Sequence, residues 1–226
     1  MQNITQQIKD CIYCNNDVKL RDLLACGVNP NLENGWPIRL AARYGRYILV
    51  NALIQYGANP HLLGEAGAST LQLAVFSGQH WDTDNWNLLL SLSSPSQLAD
   101  GAAVAIIFSN VAALSTILAT RRCNIKVPTS LTGKTLEDLA KAYKLHHKLY
   151  SLIATPTTVD INITPNNSPG PPRVNRQEHQ HHLTPQQGNR DLSPSVAQFF
   201  YQSSTMPALT PPRNIVCHDY SPTGRR

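Results

Sequence analysis

Apolar residues recur at helical spacing through the first two-thirds of the chain. In segments 18–24 and 48–54 they stand at i, i+3 and i+4, which places them on one face of an α-helix. Glycine, asparagine and proline follow these segments and predict where each helix ends. The pattern predicts an all-α fold with helices near residues 4–14, 17–26, 37–44, 47–56, 69–77, 84–92, 97–109, 111–120, 135–143 and 145–153.

The predicted helices come in pairs that repeat at a nearly constant interval. The apolar block that ends at Gly45 recurs before Gly78 and again before Asn110, and an earlier copy ends at Asn15. Gly and Asn tolerate the left-handed backbone that stops a helix and turns the chain sharply. A single hairpin of this size cannot bury its apolar face, so the repetition predicts a stack of hairpins.

The loops between the pairs carry recurring motifs. Segments 27–30 and 57–60 both read Gly-x-Asn-Pro. Each of the segments 36–42, 69–75 and 133–140 stands at the start of a predicted helix pair, and their sequences are similar. In these motifs the chain resembles the ankyrin repeat family over roughly residues 4–154. The resemblance implies an ankyrin-repeat solenoid of about four to five helix-turn-helix units. The fourth unit, near 96–122, departs from the pattern because Arg121 stands in place of the closing glycine.

Composition changes abruptly after residue 154. Residues 155–226 hold 11 of the 16 prolines and only 18 apolar residues among 72 positions. Such a segment cannot bury enough apolar surface to offset the entropy of ordering, so we expect a 1–154 repeat domain and a disordered Pro-rich C-terminal tail at 155–226. Within the tail, residues 193–202 combine a Ser-Pro start with Val196, Phe199 and Phe200, which predicts a short helix.

Charge and cysteine usage narrow the function classes. The chain carries a formal charge of +5, and no run of like charge exceeds two residues, so we expect no nucleic-acid surface. No stretch approaches the roughly 18 unbroken apolar residues of a membrane span, and residues 1–7 lack a secretory signal pattern. Five cysteines without framework spacing favour a reducing compartment. We therefore expect a cytoplasmic monomer.

Three short motifs raise the question of site chemistry. Cys11 and Cys14 have the spacing of a redox pair or of half a zinc site, but Cys11 also matches Ala41 in the repeat, a small buried position, and we favour packing. The histidines at 179–182 fit either metal binding or polar filler. Gly133-Lys134-Thr135 resembles the end of a phosphate-binding loop, but Pro128 stands where that loop needs its first glycine. We expect no metal and no cofactor.

The resemblance implies a concave groove into which the two residues before each turn residue point. Five of these ten positions are aromatic, although only 7% of the chain is, and aromatic residues with Arg dominate binding hot spots. The candidate partner-binding residues are Tyr13, Arg43, Tyr44, Phe76 and Phe108, together with Trp36 from the first finger loop. We expect Arg43 and Tyr44 to be exposed. Phe76 and Phe108 either line the groove or tuck into the core between units.

No acid, base and nucleophile come together in the sequence. The resemblance to the ankyrin repeat family implies a non-enzymatic adaptor or targeting module that binds a protein partner. Small ankyrin proteins with unrelated tails are common among proteins that intracellular bacteria or viruses place in host cells. The host cytosol is the expected location if the chain is such an effector. Two alternatives stay open: a binding module that its own tail regulates through residues 193–202, and a metal or redox protein using Cys11 and Cys14.

Overall fold

A computed structural model describes residues 3–154, and the tail at 155–226, with its predicted helix at 193–202, lies outside the described residues. Within residues 3–154 the prediction of an all-α fold is confirmed, because the described elements are all helices. Their order is α1 (Ile4–Tyr13), α2 (Asp17–Ala25), α3 (Leu32–Arg43), α4 (Tyr47–Gln55), α5 (Thr70–Ser77), a 3-10 turn (Asp84–Trp86), α6 (Asn87–Leu92), α7 (Pro95–Ile107), α8 (Val111–Ala119), α9 (Leu136–Ala142) and α10 (His146–Ala154). None of these helices has the length and apolarity needed to cross a membrane.

The helices pack in two rows. The odd-numbered helices α1, α3, α5, α7 and α9 contact one another in that order and form an inner row. The second helices of the pairs form an outer row, in which α2 contacts α4, α4 contacts α6 and α8 contacts α10. One apolar core runs between the rows along the whole described chain. Successive hairpins therefore bury their apolar faces against their neighbours.

A left-handed residue ends the first helix of each of the five described hairpins. These residues are Asn15, Gly45, Gly78, Ser109 and Lys144, with φ between 52° and 69°. The predicted turns at Asn15, Gly45 and Gly78 are confirmed, but the fourth prediction is wrong by one residue. Asn110 has φ −83° and instead caps α8, where its side chain accepts the N–H of Ala113 at 3.1 Å. This bond satisfies an otherwise unpaired helix N–H, so the amide is used at the cap and Ser109 makes the turn.

A small residue lies four positions before each left-handed residue. The five are Cys11, Ala41, Ala74, Ala105 and Ala140, and all are buried. In four hairpins its carbonyl accepts the N–H of the residue just after the turn, at 2.7–2.9 Å, from Asn16, Arg46, Asn110 and Leu145. This bond closes the helix end, and the small side chain lets adjacent helices approach. The packing interpretation of Cys11 is confirmed.

The inner helices begin with different caps. Ser69 before α5 and Ser94 before α7 each form a reciprocal capping box, with Gln72 and Gln97 respectively. Thr135 accepts the N–H of Asp138 at 3.1 Å and so caps α9, which is the role of the Gly133-Lys134-Thr135 motif.

The start of α3 departs from this pattern. Residues 33–35 have positive φ and form a left-handed kink, so the regular right-handed part of α3 begins after Gly35, close to the predicted start at residue 37. Its N-cap residue, Asn31, makes no side-chain capping bond. Instead, buried Arg39 joins two successive loops by donating from Nη1 to the carbonyls of Asn34 (2.6 Å) and Leu62 (3.2 Å). Burial lowers the pKa of Arg39.

The third hairpin contains an insertion between its two helices. Trp81 and Trp86 are buried there and stack with ring centroids 5.5 Å apart. Their indole N–H groups donate to the carbonyls of Ala74 and Gln79, both at 3.0 Å. The insertion therefore extends the core instead of projecting into solvent.

Candidate partner-binding surface

The structure brings together five of the six predicted binding residues at the C-terminal ends of the inner helices. We call these residues the aromatic row: Tyr13, Arg43, Tyr44, Phe76 and Phe108. The rings of Tyr13 and Tyr44 meet edge-on at 5.3 Å, and those of Phe76 and Phe108 at 5.0 Å. Between the two pairs, the Arg43 guanidinium lies 5.5 Å from the centre of the Phe76 ring. The row thus runs continuously across four hairpins.

The expectation that Arg43 and Tyr44 are exposed is wrong. They are only 5% and 6% accessible, and Tyr13 is buried as well. The cause is the close spacing of the hairpins, which places each of these side chains against a ring from a neighbouring hairpin. Burial raises the pKa of Tyr13 to about 12 and also raises the pKa of Tyr44.

Phe76 and Phe108 are half-buried, so each ring lies between the two predicted alternatives of lining the groove and tucking into the core. Each packs against the core and keeps part of its ring accessible. Because the fourth turn lies at Ser109, Phe108 directly precedes the turn residue, as Tyr44 does, whereas Phe76 stands one residue further back. The accessible part of the aromatic row therefore lies at the third and fourth hairpins.

Trp36 lies apart from the aromatic row, at the opposite end of α3. It is half-buried, packs against the core, and has the Lys9 ammonium 5.7 Å from its ring centre. Its indole Nε1 is buried without a hydrogen-bond partner among the described residues. Trp36 is thus mainly a packing residue, and the structure does not bring it to the other five.

The cysteine motif does not form a thiol centre at Cys11. Cys11 is a buried free thiol, and burial raises its pKa to about 11, so it is protonated at neutral pH. A protonated buried thiol is a poor nucleophile. Among residues 3–154, no group of three or more His, Cys, Asp or Glu side chains is placed to hold a metal ion.

A second feature, at the N-terminal ends of α5 and α7, was not predicted from the sequence. It is a polar cleft of about 570 Å³ between the loop after α4 and the loop before α9. We call it the polar cleft; the side chains used below are His61, Gln72, Gln97, Asp100 and Ser130. Its volume lies in the range of ligand-binding clefts.

Asp100 is the one carboxylate among the described residues that line the polar cleft. It is only 8% accessible and lies one and a half turns into α7. The Ser130 hydroxyl donates to one carboxylate oxygen, and the Leu131 N–H donates to the other at 3.1 Å. Asp100 therefore anchors the loop before α9 to helix α7.

Two glutamines form the rest of the polar wall. The side-chain oxygen of Gln72 accepts the N–H of Ser69 at 2.8 Å, and that of Gln97 accepts the N–H of Ser94 at 3.0 Å. Gln97 Oε1 also lies 2.9 Å from His61 Nδ1. Because both oxygens are used by the helix caps, the NH₂ groups are left as donors toward the cleft.

Ser130, His61 and Asp100 line the same cleft but are not arranged as a catalytic triad. In a triad the imidazole stands between the hydroxyl and the carboxylate. Here the Ser130 hydroxyl donates directly to Asp100, while His61 contacts Gln97. The arrangement suits binding better than nucleophilic catalysis.

The sequence did carry a signal for part of the polar cleft. Ser-x-x-Gln occurs at 69–72 and again at 94–97, and this is the capping-box pattern. It could have placed both glutamines at helix N-termini on one side of the stack.

Neither a known protein-family model nor a curated protein matches the sequence at a significant level.

Proposed function

We propose that this chain is a non-enzymatic protein-interaction module of the ankyrin-repeat type, acting as an adaptor or targeting protein. Its partner binds along the inner helices. The observation that carries the proposal is the accessible end of the aromatic row, where the half-buried rings of Phe76 and Phe108 meet at 5.0 Å and the Arg43 guanidinium lies 5.5 Å from the centre of the Phe76 ring. Arrays of aromatic and Arg side chains are the usual energetic centres of protein interfaces.

The repeat assignment is supported by features that recur in register. Five hairpins share a left-handed turn residue and a small buried residue four positions before it. Polar contacts between neighbours recur at nearly the same interval, from Arg46 to the Tyr13 carbonyl (3.4 Å) and from Asn110 to the Val75 carbonyl (3.1 Å). Regular spacing of this kind is expected when each unit contacts only its neighbours.

The test must change the accessible part of the aromatic row without unfolding the stack. Arg43 and Tyr44 are unsuitable because they are buried, so we choose the double variant Phe76→Leu with Phe108→Leu, which keeps apolar volume and removes both rings. The matched control is Val18→Ala, which shortens a side chain that is 66% exposed on outer helix α2. Proximity labelling and affinity capture would compare both variants with the full wild-type chain.

We expect wild type and Val18→Ala to capture the same protein partner equally well. The double Leu variant should bind that partner about tenfold more weakly or worse. A thermal melt checks that each variant stays folded. If the double variant melts like wild type and still captures the same partner equally well, binding through the aromatic row is wrong.

A further inference from the structure

We propose that the polar cleft binds an extended segment of the protein partner and that a basic side chain of this segment, Arg or Lys, pairs with Asp100. The inference rests on the proposed function, because it takes the ligand to be a protein, and it adds the chemistry of the segment that is recognised. The NH₂ groups of Gln72 and Gln97 donate to main-chain carbonyls of the same segment.

Charge complementarity selects a basic side chain. The described residues that line the cleft include one carboxylate, that of Asp100, and neither Lys nor Arg. Asp100 is nine-tenths buried and accepts one neutral hydrogen bond on each oxygen, whereas an ionised carboxylate has about four lone-pair sites. A buried anion with unused acceptor sites is stabilised by a cation, and charge-assisted bonds to Arg or Lys are the strong ones.

The glutamines select a polypeptide. Gln72 is only 4% accessible, and its oxygen already accepts the Ser69 N–H, so its NH₂ group remains as the donor that it can offer a ligand. Gln97 repeats the same arrangement at the start of the next inner helix. Two carboxamide donors in one cleft suit a ligand that carries more than one carbonyl group, as an extended polypeptide segment does.

The simplest competing explanation is that Asp100 serves only to anchor the loop before α9. Two substitutions separate these explanations, because one removes negative charge from the cleft and the other adds it. Asp100→Asn keeps an oxygen for the Leu131 N–H and removes the charge. Ser96→Asp leaves both glutamines unchanged and adds a negative charge at an exposed position that lines the cleft.

The probe is a displayed library of random nine-residue peptides, selected against the full wild-type chain and against each variant. We expect wild type to enrich peptides with Arg or Lys at a constant position. Against the selected peptides, Asp100→Asn should bind about tenfold more weakly or worse, and Ser96→Asp should bind more tightly. Replacing the basic residue by citrulline or norleucine in the peptide should cancel both effects. Side-chain amide NMR signals of Gln72 and Gln97 should shift on binding.

Three outcomes would overturn the inference: no enrichment of basic residues, equal binding by Asp100→Asn, or a loss on Asp100→Asn that Ser96→Asp shares. If the selected peptides respond instead to the Phe76→Leu and Phe108→Leu variant and not to the cleft variants, the proposed function stands and the cleft inference fails. If they respond to the cleft variants alone, the cleft inference stands, and the capture experiment with the Phe76→Leu and Phe108→Leu variant decides binding through the aromatic row separately.

Discussion

Gly45 and Gly78 occupy the same turn position in neighbouring hairpins and have nearly the same φ, 67° and 69°. A Cβ at Gly45 would lie 2.7 Å from the Cβ of Gln79, whereas a Cβ at Gly78 would meet nothing within 4 Å. We predict that Gly78→Ala lowers the free energy of unfolding by about 1 kcal/mol, the cost of the left-handed backbone alone. Gly45→Ala should cost about 1–2 kcal/mol more, because overpacking adds to that strain.

Urea denaturation of the two variants measures this difference directly. Gly27→Ala is a further control, since Gly27 also has positive φ and open space at its Cβ. Equal losses for Gly45→Ala and Gly78→Ala would contradict the close approach of the second and third hairpins at this point.

Arg39 is the residue whose loss should affect two loops at once. Arg39→Met keeps the apolar stem but removes the donor of two part-buried hydrogen bonds, to the carbonyls of Asn34 and Leu62, and we predict a loss of about 1–2 kcal/mol in unfolding free energy. Arg39→Lys should lose less because one ammonium can still donate. Exposed Arg21→Met is the control and should change stability by less than about 0.5 kcal/mol. A loss of that small size for Arg39→Met would show that the two bonds do not hold the loops.

At the scale of one hairpin, the turn between α7 and α8 is strained in a way that the turns of the second and third hairpins are not. Ser109 adopts φ 56° at the position that glycine occupies in the second and third hairpins, as Gly45 and Gly78. We predict that Ser109→Gly raises the thermal melting temperature, with a gain of about 0.5–1 kcal/mol, because glycine carries no penalty in this conformation. Ser109→Ala is the matched control and should bring no gain. A decrease for Ser109→Gly would mean that the exposed serine has a stabilising role in the hairpin.

Helices and turns were largely predictable from the sequence because their causes are local. Apolar spacing placed every helix, usually to within two residues, and the capping and turn residues act on their own neighbours. The error at Asn110 arose because asparagine suits both a left-handed turn and a helix cap, and the cap at Ala113 decided the outcome. The burial of Arg43 and Tyr44 was not predictable in this way, since it depends on the distance between hairpins.

The polar cleft shows the same limit at the scale of the whole molecule. Its walls come from the loop around His61 and the loop around Ser130, which stacking of α5, α7 and α9 brings together. The two loops belong to different repeats and are far apart in the sequence. No periodicity relates them, so only the assembled stack defines the site.

The burial of thiol and phenol groups in the core also predicts how the stability of the fold depends on alkaline pH. Burial raises the pKa of Cys11 and of Cys123 to about 11 and that of Tyr13 to about 12, above their ordinary values of 9 and 10. The folded state therefore keeps these protons longer than the unfolded state does. Stability is complete below about pH 9 and should fall as pH rises through 11.

Urea unfolding under reducing conditions at pH 7, 9, 10 and 11 tests this prediction. Cys11→Ala should fold normally, because alanine fills the equivalent position in the other four hairpins, and its stability should decline less steeply above pH 9. The same slope in wild type and Cys11→Ala would show that Cys11 does not contribute to the alkaline loss.

The remaining prediction concerns the part of the chain beyond the described core. Two of the four phenylalanines belong to the aromatic row, and the other two are Phe199 and Phe200. Acting as a linker, segment 155–192 would give segment 193–202 an effective concentration on the order of millimolar at the row. A segment that occupies the row reduces the apparent affinity for a partner by the fraction of time it is bound.

We therefore predict that deleting residues 155–226 raises affinity for a partner identified by the capture experiment, and that Phe199→Ala with Phe200→Ala in the full chain does the same. Isothermal titration of that partner measures both effects. Deleting only residues 203–226 is the control and should leave affinity unchanged. If neither the deletion nor the double substitution changes affinity, the tail does not regulate the row. If only the larger deletion does, regulation lies in the tail but not in its aromatic segment, and the match between the two pairs of phenylalanines has no role in binding.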